Sequence, residues 1–199
     1  MKKYLKWIIC SLCLIAFITL TCLVCIKENF IIDTAVYNFI SKFISDDLTK
    51  VVKFITSLGG ATVVILITLI TLIVLKNKKI GLFMSLNLTL ITLLQYILKP
   101  LIGRSRPVGI NLVNESSLSF PSGHSLTAMA FYGYIIYLIY KSKLKYKKLY
   151  IILLGLLILL IGLSRIYLGA HYTTDVLGGF TFSLFYLIIF IELTKKRTF

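Results

Sequence analysis

WIICSLCLIAFITLTCLVCI, residues 7–26, is twenty residues without a charge, closed by Lys6 on one side and Lys27 on the other. A helix rises about 1.5 Å per residue, so roughly 20 apolar residues cross the ~30 Å hydrocarbon core of a bilayer. The pattern repeats outward from this run. Residues 54–75 lie between Lys53 and Lys76, and residues 80–98 between Lys79 and Lys99. Three shorter runs of sixteen residues follow, 125–140, 149–164 and 176–191. Each needs its polar flank (Ser122-Gly123-His124, residues 146–148, and residues 192–194) to complete a crossing. None of the runs alternates with period two. In lipid the backbone must pair internally, which leaves helices or closed barrels, and continuous apolar runs exclude the barrel. The sequence predicts an all-α membrane protein with six transmembrane helices in one domain, residues 1–199.

Composition agrees. The chain is 58% hydrophobic and only 15% charged, with a mean hydropathy of +0.95. Soluble domains are about half apolar and a quarter charged, so a water-soluble globule, a disordered chain and a secreted disulfide scaffold are excluded. The net charge of +15 follows topology. Lys2, Lys3 and Lys6, the 76–79 loop, the five lysines of 141–148 and the Lys195-Lys196-Arg197 tail fall on one side. The other side holds fewer cations and every acid but Glu192. Basic residues gather on the cytoplasmic face. Both termini are therefore expected in the cytoplasm, with the remaining loops outside; the short, Lys-, Ile- and Leu-rich chain suggests a bacterial cytoplasmic membrane. With no basic stripe interleaved with aromatics, a nucleic-acid partner is not expected. The first run exceeds a signal-peptide core and has no small-residue cleavage site, so it reads as a retained anchor. No internal repeat supports a transporter built from repeated halves.

In the first outer loop, residues 27–53, Ile32, Val36, Phe39, Ile40, Phe43 and Ile44 recur at helical spacing. Asp33, Asn38, Lys42, Asp46 and Asp47 fill the gaps. The plainer reading is an amphipathic helix on the outer interface; the second is a cap over the other outer loops. Cys10, Cys13, Cys22 and Cys25 spell a CxxC-x8-CxxC pattern that suggests zinc when it lies in a loop. Here the two pairs sit about 18 Å apart along one apolar helix, and the cysteines read as small packing residues.

Chemistry collects in the outer loops. Residues 99–107 read KPLIGRSRP, residues 120–125 read FPSGHS, and residues 164–175 read SRIYLGAHYTTD. Both histidines are here. Alone, each feature has a plain reading: Lys99 and Arg165 as snorkelling anchors, a histidine as a structural hydrogen-bonder, Pro-Ser-Gly as a turn. Together, three segments bring two imidazoles, one carboxylate and three cations to one face. His171 and Asp175 share a helical face at i, i+4. The carboxylate fixes the tautomer and frees the other ring nitrogen to attack. Ser122 and Gly123 open a helix whose unpaired N–H groups bind anions. Lys99, Arg106 and Arg165 suit the equatorial oxygens of a phosphoryl group in transfer. His124 then stands as general acid. Two histidines and one aspartate among cations do not make a metal site, and neither metal nor cofactor is expected.

These three motifs, Lys-x6-Arg-Pro (Lys99, Arg106-Pro107), Pro-Ser-Gly-His (121–124) and Ser-Arg-x5-His-x3-Asp (Ser164-Arg165, His171, Asp175), are similar to the signature of the type 2 phosphatidic acid phosphatase superfamily. Every defining position is filled. The resemblance implies His171 as nucleophile, Asp175 as its partner, His124 as general acid, and Lys99, Arg106, Ser122, Gly123 and Arg165 as phosphate ligands, without a metal. It implies a lipid substrate presented from the bilayer: phosphatidylglycerophosphate, undecaprenyl diphosphate or phosphatidic acid. The first outer loop and residues 108–120 are expected to shape that choice. A phosphotransferase passing the group to a second lipid, and a non-catalytic lipid-binding protein, are the alternatives. Nothing in the sequence sets the oligomeric state.

Overall fold

The structure is a computed structural model that describes residues 2–27, 30–109 and 111–198, without the side chains of Lys2 and Lys3. Those two lysines, counted above for topology, thus lie outside the described side chains, as do Met1 and Phe199 at the ends of the expected domain and Ile110 in the 108–120 segment. Every regular element among the described residues is a helix. In chain order they are α1 (Lys2–Ile26), α2 (Ile31–Ser41), α3 (Asp46–Leu58), α4 (Ala61–Val74), α5 (Lys78–Ile102), α6 (Gly123–Lys141), α7 (Lys147–Tyr167) and α8 (Thr173–Thr198).

Among the described residues, α1, α5, α7 and α8 are each long and apolar enough to cross a bilayer. The second apolar run is not one helix. It breaks at Gly59-Gly60, and α3 and α4 meet at a bend of 46°. Two adjacent glycines weaken the helix there, and the Cβ of any other residue at Gly59 would come within 2.6 Å of Ile161 on α7. The Leu58 carbonyl at the break accepts a 2.6 Å bond from the Tyr132 hydroxyl of α6. An unpaired carbonyl in this setting costs several kcal/mol, by order of magnitude.

The central helix is α6, which packs against α5, α7 and α8. Its tyrosines make it less apolar than its neighbours, and it is also the most enclosed: Ala128, Phe131, Tyr132 and Tyr134 join Val64, Met84, Ile158, Ile161, Leu187 and Phe190 in the main core. By contrast, large apolar side chains on α1, α4, α5 and α7, such as Leu12, Ile73, Ile97 and Leu159, are exposed. Such a surface suits hydrocarbon and not water. With lipid outside, helices associate through close packing and polar links. At Gly162 a Cβ would stand 2.4 Å from Phe180. Asn87 donates to the Ala130 carbonyl at 2.8 Å, and Ser183 to the Leu126 carbonyl at 2.8 Å.

The first outer loop differs from its expected form. It holds two helices, and α2 stops at Ser41, so Phe43 and Ile44 lie beyond it. Moreover, Ile31, Ile32 and Phe39 point outward while Asp33 is buried. The helix turns its polar residue toward the protein because a buried arginine, Arg104, waits there for a carboxylate. The cysteines all lie on α1, unbonded, and only Cys10 is buried.

Lys6, Glu192 and Lys195 form an ion-pair group, and Asn77 donates to the Thr198 carbonyl at 3.3 Å. The start of α1, the α4–α5 turn and the end of α8 therefore share one end of the bundle. The motif residues occupy the other.

Candidate active site

Three helix ends and one loop build the site. Lys99 lies in the last turn of α5, which closes at Gly103 in the left-handed conformation (φ 72°). That turn sends the chain back across the bundle end, carrying Arg104 inward and Arg106 alongside. At the end of α7, Gly169 takes a similar conformation (φ 68°). The N–H groups of Ala170 and His171 then both reach the Arg165 carbonyl, at 3.1 and 3.2 Å. This tight return presents His171 just before α8.

Asp175, in the first turn of α8, is fully buried and surrounded by donors. It accepts from Ser119 Oγ at 2.5 Å, Arg104 Nη1 at 2.6 Å and the Tyr172 N–H at 2.9 Å. His171 Nδ1 lies 3.4 Å from the same carboxylate. On the other edge of the ring, Arg106 Nη1 is 3.3 Å from Nε2. Arginine only donates, so Nε2 must carry the lone pair and Nδ1 the proton. The two neighbours thus fix one tautomer. The imidazole is held well down, at about 4: burial is the main cause, the Asp175 hydrogen bond and charge oppose it, and Arg106 and Arg165 add to it. A neutral ring with its lone pair on Nε2 is the form able to attack an electrophile.

Ser122 caps α6. Its hydroxyl accepts from Ser125 Oγ at 3.0 Å, and its N–H donates to the Asp175 carbonyl at 3.0 Å. Gly123 faces Gln95, where a Cβ would stand 2.7 Å from Oε1. His124 follows, its Nε2 beside Gly60 at the α3–α4 break. A cavity of about 250 Å³ joins these parts, lined by Lys99, Arg106, Gly123, His124 and His171, with Gln95, Glu115 and Ser117. The two imidazoles expected to act together therefore face one space. Arg165 adjoins through Glu115, which it pairs with while also donating to Thr56 Oγ1 at 3.0 Å. Of the residues expected from sequence, Ser122 alone is fully occupied elsewhere, by its cap. Asp175 stands behind His171 as its partner.

Several contributors were not anticipated. Arg104 pairs with both Asp175 and Asp33, the latter at 2.9 Å, and Thr174 N–H and Oγ1 also donate to Asp33 at 2.8 and 2.9 Å. Ser119 bridges Asp175 and His171. Glu115 bridges Arg165 and Arg106; burial pushes its carboxyl up, but the two guanidiniums outweigh this and hold it below the usual carboxylate range. Asp33 did leave a trace in the sequence: an acid adjoining the apolar stripe of α2. Among the described residues, no three histidine, cysteine, aspartate or glutamate side chains are grouped to hold a metal.

A model of the PAP2 superfamily matches residues 80–199, which carry all three motifs. Phosphatidylglycerophosphatase B of Bacillus subtilis (strain 168) is 42% identical over 158 residues, covering 75% of this chain and 78% of that protein. Undecaprenyl-diphosphatase of Sulfolobus acidocaldarius is 27% identical over 188 residues, 90% of this chain and 86% of that protein. The crystal structure of a transmembrane PAP2-type phosphatidylglycerolphosphate phosphatase from Bacillus subtilis superposes with a TM-score of 0.83 at 32% identity, covering 94% of this chain and 96% of that one. With its motifs filled, its cavity formed and its helical frame shared, the chain belongs to the PAP2 superfamily, as one of its membrane lipid phosphatases.

Proposed function

We propose that this protein hydrolyses a lipid phosphomonoester or diphosphate through a phosphohistidine on His171 Nε2. The observation that carries the reading is the two-sided hold on that imidazole, Asp175 at Nδ1 and Arg106 at Nε2, within a cavity shared with His124. In the first step Nε2 bonds to phosphorus, the bond from phosphorus to the leaving oxygen breaks, and His124 gives that oxygen a proton. In the second, His124 takes a proton from water, water oxygen bonds to phosphorus, the N–P bond breaks, and inorganic phosphate departs. Lys99, Arg106 and Arg165, with the N–H groups opening α6, bind the phosphoryl oxygens. Ser122 contributes indirectly, by capping α6 and tying its start to Asp175. No metal takes part: the charge that a metal supplies elsewhere comes from these cations.

The favoured substrate is phosphatidylglycerophosphate, on the strength of the 42% identical relative, with undecaprenyl diphosphate and phosphatidic acid next. The chain crosses a bacterial cytoplasmic membrane six times, α3–α4 counting as one bent span and α6 as the enclosed one. Both termini are cytoplasmic, the site faces outward, and α2 lies at the outer interface. Purified protein assayed against this panel of lipids tests the reading. Phosphate is released from at least one of them by wild type and from none by His171→Ala. Equal release by the two proteins contradicts the assignment.

A further inference from the structure

The three cations assigned to the phosphoryl group already share acceptors from one short piece of the α5–α6 connection. Lys99 Nζ donates to Ser117 Oγ at 3.1 Å and to the Leu118 carbonyl at 2.6 Å. Arg106 donates to the Ser117 carbonyl at 2.5 Å and to Ser117 Oγ at 2.9 Å. Glu115 supplies the only formal charge in this piece. One of its oxygens pairs with Arg165, and the other lies 3.5 Å from Arg106 Nη2. A carboxylate spanning two guanidiniums has the shape and charge of a bound anion. Glu115 lines the cavity together with His124 and His171.

The two sides of this contact differ in exposure. Arg165 is 1% exposed and also tied to Thr56, whereas residues 114–118 are an exposed stretch. The Glu115 side chain is 28% exposed against 2% for Arg165, so withdrawing Glu115 costs less burial than withdrawing Arg165. Arg165 Nε is, in addition, a buried donor with no acceptor. The cationic side is buried with a donor to spare, and the anionic side is the more exposed of the two.

We propose that Glu115 is an internal competitor for the phosphoryl site, one that keeps the abundant phosphodiester lipids of the bilayer out of it. This deepens, and rests on, the phosphatase reading above. An anion enters by displacing Glu115, so every anion is weakened by the same factor, as for any ligand whose competent state is partly populated. The consequences are unequal. A phosphodiester headgroup carries one charge, gains nothing over the carboxylate, and is lifted above its concentration in the membrane. A terminal phosphate carries about −1.5 to −2 at neutral pH and still binds. The effect is on occupancy and not on the ratio of affinities: the weaker, singly charged diester falls below half-saturation at its membrane concentration while the terminal phosphate still fills the site.

The test uses full-length protein in detergent micelles, with hydrolysis of its best lipid phosphate as readout and two inhibitors, inorganic phosphate and phosphatidylglycerol. Glu115→Gln keeps the size and one of the two acceptor oxygens but removes the charge; Glu115→Ala removes the side chain. In both, the Ki values for phosphate and phosphatidylglycerol fall together, on the order of tenfold, and phosphatidylglycerol-rich micelles suppress turnover that wild type sustains. If Glu115 merely props Arg165, the Ala variant loses affinity and the Gln variant behaves as wild type. Either of those results overturns the proposal while leaving the phosphatase reading standing. A wild-type protein that neither turns over a lipid phosphate nor binds inorganic phosphate overturns both.

Discussion

Arg104 and Asp175 meet at 2.6 Å with both side chains sealed from solvent, and the same guanidinium continues to Asp33 on α2. The partner of His171 is thereby tied to α2, whose Asp33 lies 141 residues from Thr174 in the chain. Breaking a buried pair by removing one partner costs about 3–5 kcal/mol. Arg104→Met strands two carboxylates and is expected to lose stability in that range. Asp33→Asn keeps an acceptor for the Thr174 N–H and leaves Arg104 paired with Asp175, so it loses about 1–2 kcal/mol. Thermal unfolding of the detergent-solubilised variants checks the order; equal losses contradict it.

The depressed imidazole of His171 gives a pH signature. An unfolded histidine titrates near 6.5, and His171 in the fold at about 4. Between those values the unfolded chain binds a proton that the folded one refuses. Folding stability is thus complete above about pH 6.5 and falls as pH drops toward about 4, with a slope of at most ~1.4 kcal/mol per unit. Wild type loses more in melting temperature between pH 7.5 and pH 5 than His171→Gln. The acid limb of kcat/KM sits near 4, as a property of the coupled His171–Asp175 pair; a limb near 6.5 contradicts the buried setting.

Two glycines separate packing from propensity. At Gly179 a Cβ would stand 2.8 Å from Ser125 Cβ and 2.9 Å from the Ser122 carbonyl, so the start of α6 must move. At Gly155, on α7, there is open space. Gly179→Ala therefore lowers both melting temperature and kcat, while Gly155→Ala leaves kcat unchanged and gains up to about 1 kcal/mol. Melting and steady-state rates for the pair decide this.

How much of this was legible in the sequence depends on distance along the chain. The uncharged runs announced the helices because burial in lipid is written locally. That Lys99, Arg106, His124 and His171 line one cavity, with Asp175 beside His171, was expected from their types and spacings. The Gly59-Gly60 break was missed because the apolar run passes through it, and six uniform spans hid the enclosed character of α6. Asp33, Arg104, Ser119 and Glu115 were missed for a different reason. Their roles are set by partners 50 to 141 residues away, and neither periodicity nor spacing encodes such pairs.

Catalysis through the protein's own cations predicts indifference to chelators. EDTA leaves turnover unchanged, and vanadate, which mimics the five-coordinate phosphoryl group, inhibits. Activity that disappears in EDTA and returns with Mg²⁺ contradicts this mechanism.

The most direct measurement is to trap the covalent intermediate. Wild-type protein quenched during turnover of a lipid carrying ³²P in its terminal phosphate is expected to retain label that is stable in alkali, released by acid, and located by peptide mapping at His171; His171→Ala retains none. Label on another residue, or rapid turnover by wild type with no label retained at any time, contradicts the account.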